Sequence, residues 1–333
     1  MIKRSIRSAL ACFICSVTWP YTSRVKAAVW WPKFSCLFGI IDYRGTLTQR
    51  QRNRLVTTLA VTAEDRGTDA TGIAYNSGGR LHIYKRPVPA HKVRFAVPAD
   101  ASVIMGHTRM ATQGSAKKQR NNHPFPGSCG DKRFALAHNG VIYNDRTLRR
   151  TFSLPDTKIE TDSYIAVQLL ETKQALDFSS LRFAAEQLMG SFTLTVLDGL
   201  YFVRGDNPIH YPRRGVYVYA STEGILEHAM RQIGFLAETP AEVSLCCGDI
   251  LKIDAKGGIV KEHFDDASLG YGTRFNPWHY TGMGSMADEI YLDELKAVAA
   301  SFGYAHESID RLLRQGFLPE EIEEFLYECA GVM

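Results

Sequence analysis

Four short stretches of this 333-residue chain carry the residue types that break and make covalent bonds. Cys36-Leu37-Phe38-Gly39-Ile40-Ile41-Asp42 sets a thiol, a strong nucleophile as its thiolate, at the head of an apolar run. Gly106-His107-Thr108-Arg109-Met110-Ala111-Thr112 places a guanidinium after a strand-like run, and that planar fork matches a carboxylate. Leu136-Ala137-His138-Asn139-Gly140-Val141-Ile142 offers an amide beside a glycine, and Ile159-Glu160-Thr161-Asp162-Ser163 a carboxylate. Each residue alone has a plainer reading. Cys36 reads as a buried cysteine in a strand, and Asn139-Gly140 as the commonest hairpin dipeptide. Arg109 reads as half of a surface salt bridge, and Asp162 as a helix cap.

The elements that would position these groups follow from periodicity. Leu55, Val56, Leu59 and Ala60 fall at helical spacing within a helix from Thr48 to Thr62. Asn76-Ser77-Gly78-Gly79 lies between two strand-like runs and reads as a hairpin turn. The Asp-Ser that would make Ser-Gly-Gly an ATP-pyrophosphatase loop is missing. Strands are expected over Ser102–Gly106 and Phe134–Ala137, and Thr161 is a candidate cap for a helix carrying Ile165, Leu169 and Leu170. A second helix is expected near Leu181–Met189. Strands then follow at Phe192–Leu197, Tyr201–Arg204, Val216–Ala220, Ile250–Ile253 and Gly258–Lys261. Side chains projecting from strand ends into one cleft are a common way to build a site on rigid elements.

Together the four stretches resemble the glutaminase domain of class II glutamine amidotransferases, a branch of the N-terminal-nucleophile hydrolases. Order and spacing agree from about Cys36 to Glu223. The resemblance implies an α+β fold, the four-layer αββα sandwich. It also implies hydrolysis of the glutamine side-chain amide to glutamate and ammonia through a γ-glutamyl thioester on Cys36. In such enzymes the nucleophile is the first residue and its own α-amino group is the base. That amine titrates near about 7.7–8 and is substantially neutral at physiological pH, unlike a lysine near about 10.4. The Asn139 amide and the Gly140 N–H would form the oxyanion hole, one such donor being worth roughly 3–4 kcal/mol of barrier. Arg109 would hold the glutamine α-carboxylate and Asp162 its α-ammonium. Thr112, His123 (in Asn122-His123-Pro124-Phe125) and Arg66 match family positions near the site. Arg66-Gly67-Thr68-Asp69 looks like the arginine–glycine loop of the sugar-phosphate branch, and Arg204-Gly205-Asp206 with Ala220-Ser221-Thr222-Glu223 like the strands and turn that close such domains. Met110 stands where relatives often carry Trp or Tyr, and Leu37 where Gly is usual.

Composition sets the outer bounds. The length favours one large domain plus an appendage, and 45% hydrophobic residues are enough for a sizeable core. The net charge of +4 invites a nucleic-acid reading, but six basic and no acidic residues lie in positions 1–35. The rest holds 33 basic against 35 acidic residues, so no nucleic-acid partner is expected. Seven cysteines at 12, 15, 36, 129, 246, 247 and 329 form neither a metal-ligand nor a disulfide framework, and no metal or cofactor is expected. No apolar run reaches the roughly 18–20 residues of a membrane span, so no membrane association is expected once the leader is gone, and a reducing, cytoplasmic setting is favoured.

Residues 1–35 read as a leader. Lys3, Arg4 and Arg7 precede an apolar stretch from Ala9 to Trp19, the outline of a secretory signal. Before Cys36, however, Trp31-Pro32-Lys33-Phe34-Ser35 lacks the small-x-small cleavage pattern, which favours a propeptide or an early start codon. No methionine occurs between Met1 and Met105, so exposing Cys36 requires proteolysis after Ser35. The expected organisation is a leader over 1–35, a glutaminase domain over 36–265, and a linker with a small helical region over 266–333. In the last, Leu292, Leu295 and Val298 mark one helix, and Ile309, Leu312 and Leu313 a second ended by Gly316. A third would start at Pro319, a pattern faintly similar to ubiquitin-associated three-helix modules. No phosphoribosyltransferase, sugar isomerase or ATP-pyrophosphatase signature follows residue 265. The implied partners are therefore glutamine and a separate ammonia-accepting synthase subunit, unless the enzyme is a free amidohydrolase. Two alternatives stand: an amidohydrolase of this fold acting on another γ-glutamyl amide, and a non-catalytic binding protein whose leader is never removed.

Overall fold

A computed structural model of the chain describes residues 35–204, 215–232 and 245–266 except positions 112, 199 and 255, with some positions between 292 and 326. The expectations for residues 1–34, for the turn after Arg204 and for most of the C-terminal helices lie outside the described residues. In chain order the first half forms β1 (Cys36–Ile41), α1 (Gln49–Thr62), β2 (Ala70–Ser77), β3 (Arg80–Arg86), β4 (Val103–Arg109), β5 (Phe125–Cys129), β6 (Lys132–Ile142) and α2 (Asp145–Thr151). The second half forms α3 (Tyr164–Glu171), α4 (Phe178–Gln187), β7 (Gly190–Leu197), β8 (Leu200–Arg204), β9 (Tyr217–Ala220), α5 (Glu223–Gln232), β10 (Asp249–Ile253), β11 (Ile259–His263) and α6 (His306–Arg314).

The strands make two antiparallel sheets, of order β3-β2-β4-β1-β9 and β11-β10-β8-β7-β6-β5. Three buried clusters show how they stack. Leu55, Val56 and Leu59 of α1 and Ile225 and Leu226 of α5 pack with Phe38 and Ile40 on one face of the five-stranded sheet. Ile165 and Leu169 of α3 and Leu181 of α4 pack with Phe134, Leu136 and Phe192 on one face of the six-stranded sheet. Leu37, Ile41 and Met105 meet Ala135, Ala137 and Phe202 between the two sheets. Helix, sheet, sheet and helix make the expected α+β four-layer αββα sandwich. β1 is buried on both sides, which is why it reads as an unbroken apolar run rather than an alternating one.

Local chemistry explains the elements nearest the site. Thr48 caps α1 through a reciprocal box with Gln51: the Gln51 N–H donates to Thr48 Oγ1 at 3.2 Å, and the Thr48 N–H to Gln51 Oε1 at 2.9 Å. Gly78 and Gly79, at φ 56° and 69°, make the β2–β3 hairpin, a turn that needs positive φ at both central residues. The far end of β1 is fixed by Asp42, whose buried carboxylate accepts from Arg52 Nη2 of α1 at 3.1 Å and from the Leu47 N–H at 2.9 Å. Thr161 is not the cap of α3. That helix begins at Tyr164 behind Ser163, and the buried Thr161 hydroxyl has no hydrogen-bond partner. Among the described residues no helix is long and apolar enough to cross a membrane.

Candidate active site

Cys36 is the first residue of β1, the strand flanked by β4 on one side and β9 on the other, and it is fully buried. It lies opposite Thr108, so the thiol sits beside the end of β4 that carries Arg109. Burial raises the thiol pKa above its ordinary value. The Arg66 guanidinium pulls it back most strongly, followed by hydrogen bonds from the N–H and hydroxyl of Ser221. Ser35, the preceding residue, is tied down on two sides. Its carbonyl oxygen accepts from Arg66 Nε at 3.2 Å, and its hydroxyl lies 3.2 Å from the Met110 backbone nitrogen.

Asn139 and Gly140 lie inside β6, paired with Thr193 and Phe192 of β7, and so do not form a hairpin turn. Gly140 has φ +125°, and a Cβ there would come within 2.0 Å of the Ser191 carbonyl oxygen. A side chain is excluded at that position, which leaves the Gly140 backbone accessible from the cleft. The buried Asn139 amide reaches across to the other sheet, with Nδ2 3.5 Å from Ser221 Oγ.

Arg109 ends β4 and is 3% exposed, so it is not half of a surface salt bridge. It donates to Asn122 Oδ1 at 2.7 Å and to the carbonyl oxygens of Gln113 and Gly114 at 2.5 and 3.1 Å. Burial lowers its pKa, while the charges of Asp162 and Asp69 work to keep the guanidinium protonated. Asp162 does not cap a helix. Its Oδ2 accepts the Ile142 N–H at 2.8 Å, which fixes the carboxylate at the end of β6. Ser35, Arg109, Met110, His123, Gly140 and Asp162 line one narrow, mostly polar cleft. Of the residues expected from sequence, Arg109, Asp162, Gly140 and His123 thus share this cleft. Cys36 and Asn139 lie buried beside it, Arg66 reaches it through Ser35, and Thr112 lies outside the described residues.

Around His123, further groups that the sequence did not single out support this cleft. His107, His123 and His138 are buried together, with the His107 and His123 rings 4.2 Å apart. His138 Nδ1 meets Ser163 Oγ at 2.8 Å, and His107 Nε2 meets the His138 carbonyl oxygen at 3.0 Å. Burial pushes the pKa of all three rings down, that of His107 to about 3, with the Arg109 charge adding to the shift at His107 and His123. They are neutral rings at physiological pH. Lys85 Nζ donates to the carbonyl oxygens of Asn122 at 2.6 Å and Pro124 at 3.1 Å, holding the loop that supports Arg109. Burial and the Arg109 charge bring its pKa down to about 8. The period-2 pattern Leu81, Ile83, Lys85 was the available signal, since it puts Lys85 on the inward face of β3. Ser221 lies in Ala220-Ser221-Thr222-Glu223, which the resemblance marked as part of the closing strands and turn without a role for the serine.

Residues 107–226 match the family model described as a glutamine amidotransferase domain. A glutamine–fructose-6-phosphate aminotransferase (isomerizing) of Bacillus thuringiensis subsp. konkukian is 34% identical over 157 residues, 44% of this chain and 26% of that protein. The enzyme of the same name from Halobacterium salinarum is 30% identical over 210 residues, 58% of this chain and 33% of that protein. The chain therefore spans about a quarter to a third of the length of these curated relatives. Among solved structures, glutamine phosphoribosylpyrophosphate amidotransferase from B. subtilis, complexed with ADP and GMP, aligns at TM-score 0.54 and 19% identity. The alignment covers 69% of this chain and 49% of that one. That likeness supports the fold.

Proposed function

The chain carries a class II glutamine amidotransferase domain, and from that premise we propose that it hydrolyses the side-chain amide of glutamine to glutamate and ammonia through a γ-glutamyl thioester on Cys36. The observation that carries this reading is the convergence of Arg109, Asp162 and Gly140 on one cleft whose wall includes Ser35, the residue bonded to Cys36. A guanidinium and a carboxylate at one end of a cleft suit the carboxylate and ammonium of a free amino acid. Such a substrate then lays its side-chain amide toward Cys36.

In this reading the Cys36 α-amino group, once freed, takes the thiol proton and the thiolate attacks the amide carbon. The Gly140 N–H and the Asn139 amide receive the charge that develops on the carbonyl oxygen. Collapse expels ammonia, protonated by the same amine, and water hydrolyses the thioester to glutamate. Residues 36–265 form the domain, its setting is cytoplasmic, and a separate ammonia-accepting synthase subunit uses the product. The sequence likeness to aminotransferases supports a synthetic use for the ammonia. The test is ammonia release from glutamine, asparagine and γ-glutamyl amides lacking either the α-carboxylate or the α-amine, assayed with the purified chain. Glutamine should be the best substrate, and each truncated amide should lose at least about tenfold in kcat/KM, one well-made charged contact. Equal turnover of all of them would overturn the assignment of the cleft.

A further inference from the structure

One hydroxyl links the two groups on which this reading depends. Antiparallel pairing of β1 with β9 runs from Ile41↔Tyr217 to Phe38↔Ala220, and the next pair would be Leu37 with Ser221. There the ladder changes. The Ser221 N–H still donates to the Leu37 carbonyl oxygen at 2.9 Å, but the Leu37 N–H donates to Ser221 Oγ at 2.9 Å. The hydroxyl has taken the place of a backbone acceptor. That same oxygen lies 3.5 Å from Asn139 Nδ2 and donates at 3.5 Å to the Leu37 carbonyl oxygen, which also accepts from the Cys36 thiol at 3.3 Å, so hydroxyl and thiol meet at one acceptor. Ser221 is 1% exposed, so water does not compete for these bonds.

Building on the glutaminase reading, we propose that Ser221 is the positioning residue of this site, its hydroxyl holding the Cys36 thiol and the Asn139 amide in register with each other. The division of labour follows from what a hydroxyl can do. Its lone pairs accept the Leu37 N–H and one Asn139 N–H, and its proton, directed at the Leu37 carbonyl oxygen while the thiol donates there too, turns to the sulfur when the thiolate forms. Anchoring one hydrogen of the Asn139 amide fixes the plane of that amide, and with it the direction in which the amide meets the oxyanion. Donation to sulfur favours the thiolate, against the burial that disfavours it. Cys36 and Asn139 belong to different sheets, so a bond chain through Ser221 sets their separation more firmly than apolar packing between the sheets does.

Ser221→Ala removes the hydroxyl and nothing else from this arrangement. In protein beginning at Cys36 by mass, kcat for glutamine should fall roughly 3- to 10-fold, the effect of one or two lost hydrogen bonds, while KM stays within about twofold. The pH profile of Cys36 alkylation by iodoacetamide, followed by peptide mass mapping, should move to higher pH. Ser221→Thr keeps the hydroxyl and should restore both. Should Ser221→Ala fail a thermal-melt check of folding, Ser221→Cys, similar in volume and a weaker donor, is read in the same way. A folded hydroxyl-free variant with unchanged kcat and an unchanged alkylation profile overturns the proposal. Wild-type protein that begins at Cys36 and releases no ammonia overturns only the glutaminase reading, because the alkylation profile still decides the role of Ser221.

Discussion

Arg66 Nε donates a 3.2 Å hydrogen bond to the carbonyl oxygen of Ser35, the acyl side of the bond that must break to free the Cys36 amine. With the Ser35 hydroxyl against the Met110 backbone, this bond holds the residue before the nucleophile in the wall of the substrate cleft. While that peptide bond is intact the Cys36 nitrogen is an amide, its lone pair delocalised, and it cannot act as a base. Protein intact by mass should therefore be inactive, and protein beginning at Cys36 active. A gene encoding Met followed by Cys36, whose product a host aminopeptidase trims, supplies the comparison. Ammonia release at comparable rates from both, with the leader still present by mass spectrometry, would end the N-terminal-nucleophile mechanism for this chain.

Cys36→Ala should abolish glutamine hydrolysis and leave the thermal melt close to that of the wild type, the change being a single buried sulfur. Asn139→Ala tests the oxyanion assignment more finely. A donor that strengthens its bond only as charge develops affects kcat, and loss of one such donor lowers kcat by about 10²–10³-fold with little change in KM. Steady-state kinetics on the processed chain decide it. A change confined to KM would make Asn139 a ground-state contact.

Arg109 and Asp162 should behave in the opposite way, since both would hold parts of glutamine that do not react. Asp162→Asn keeps an oxygen for the Ile142 N–H, so the end of β6 stays pinned while the charge is lost. KM for glutamine should rise about tenfold or more, with a smaller change in kcat. Arg109→Lys loses the planar fork and with it the bonds to Asn122, Gln113 and Gly114, so the same rise should come with a lower melting temperature. Unchanged KM in Asp162→Asn would remove the carboxylate from substrate binding.

What the sequence revealed depended on how local each signal was. The helical spacing of Leu55, Val56, Leu59 and Ala60, the paired glycines at 78 and 79 and the unbroken apolar run of β1 act within a few residues, and each element appears where periodicity and turn chemistry put it. Asn139-Gly140 shows the limit of a dipeptide signal. Its hairpin preference gives way to strand pairing along the whole of β6, and only the resemblance pointed to a site. Thr161 had the type and place of a helix cap, yet the neighbouring Asp162 is tied to the end of β6 and the helix starts later. Ser221 was hardest to foresee. Its bond to Leu37 joins residues 184 positions apart, a contact that exists only once β1 and β9 have paired.

The three buried histidines predict an unusual acid sensitivity. In an unfolded chain histidine titrates near about 6.5, whereas in the folded protein burial lowers all three, His107 to about 3. Folded pKa values below unfolded ones mean that at acid pH the unfolded state binds protons the native state refuses. Stability is then level above about pH 7 and falls as pH drops through 6.5, before most carboxylates titrate. Each histidine that stays neutral in the folded protein adds a slope of at most about 1.4 kcal/mol per pH unit well below 6.5. Urea unfolding at pH 7.5, 6.5 and 5.5 measures it. His123→Phe should remove one proton from the slope and cost little at pH 7.5, because both ring nitrogens of His123 are buried without hydrogen-bond partners and the ring already packs 4.4 Å from Phe125. An unfolding free energy that stays level down to pH 5.5 would mean that these rings accept protons in the native state, through water entering the cleft or through movement of Arg109 away from them.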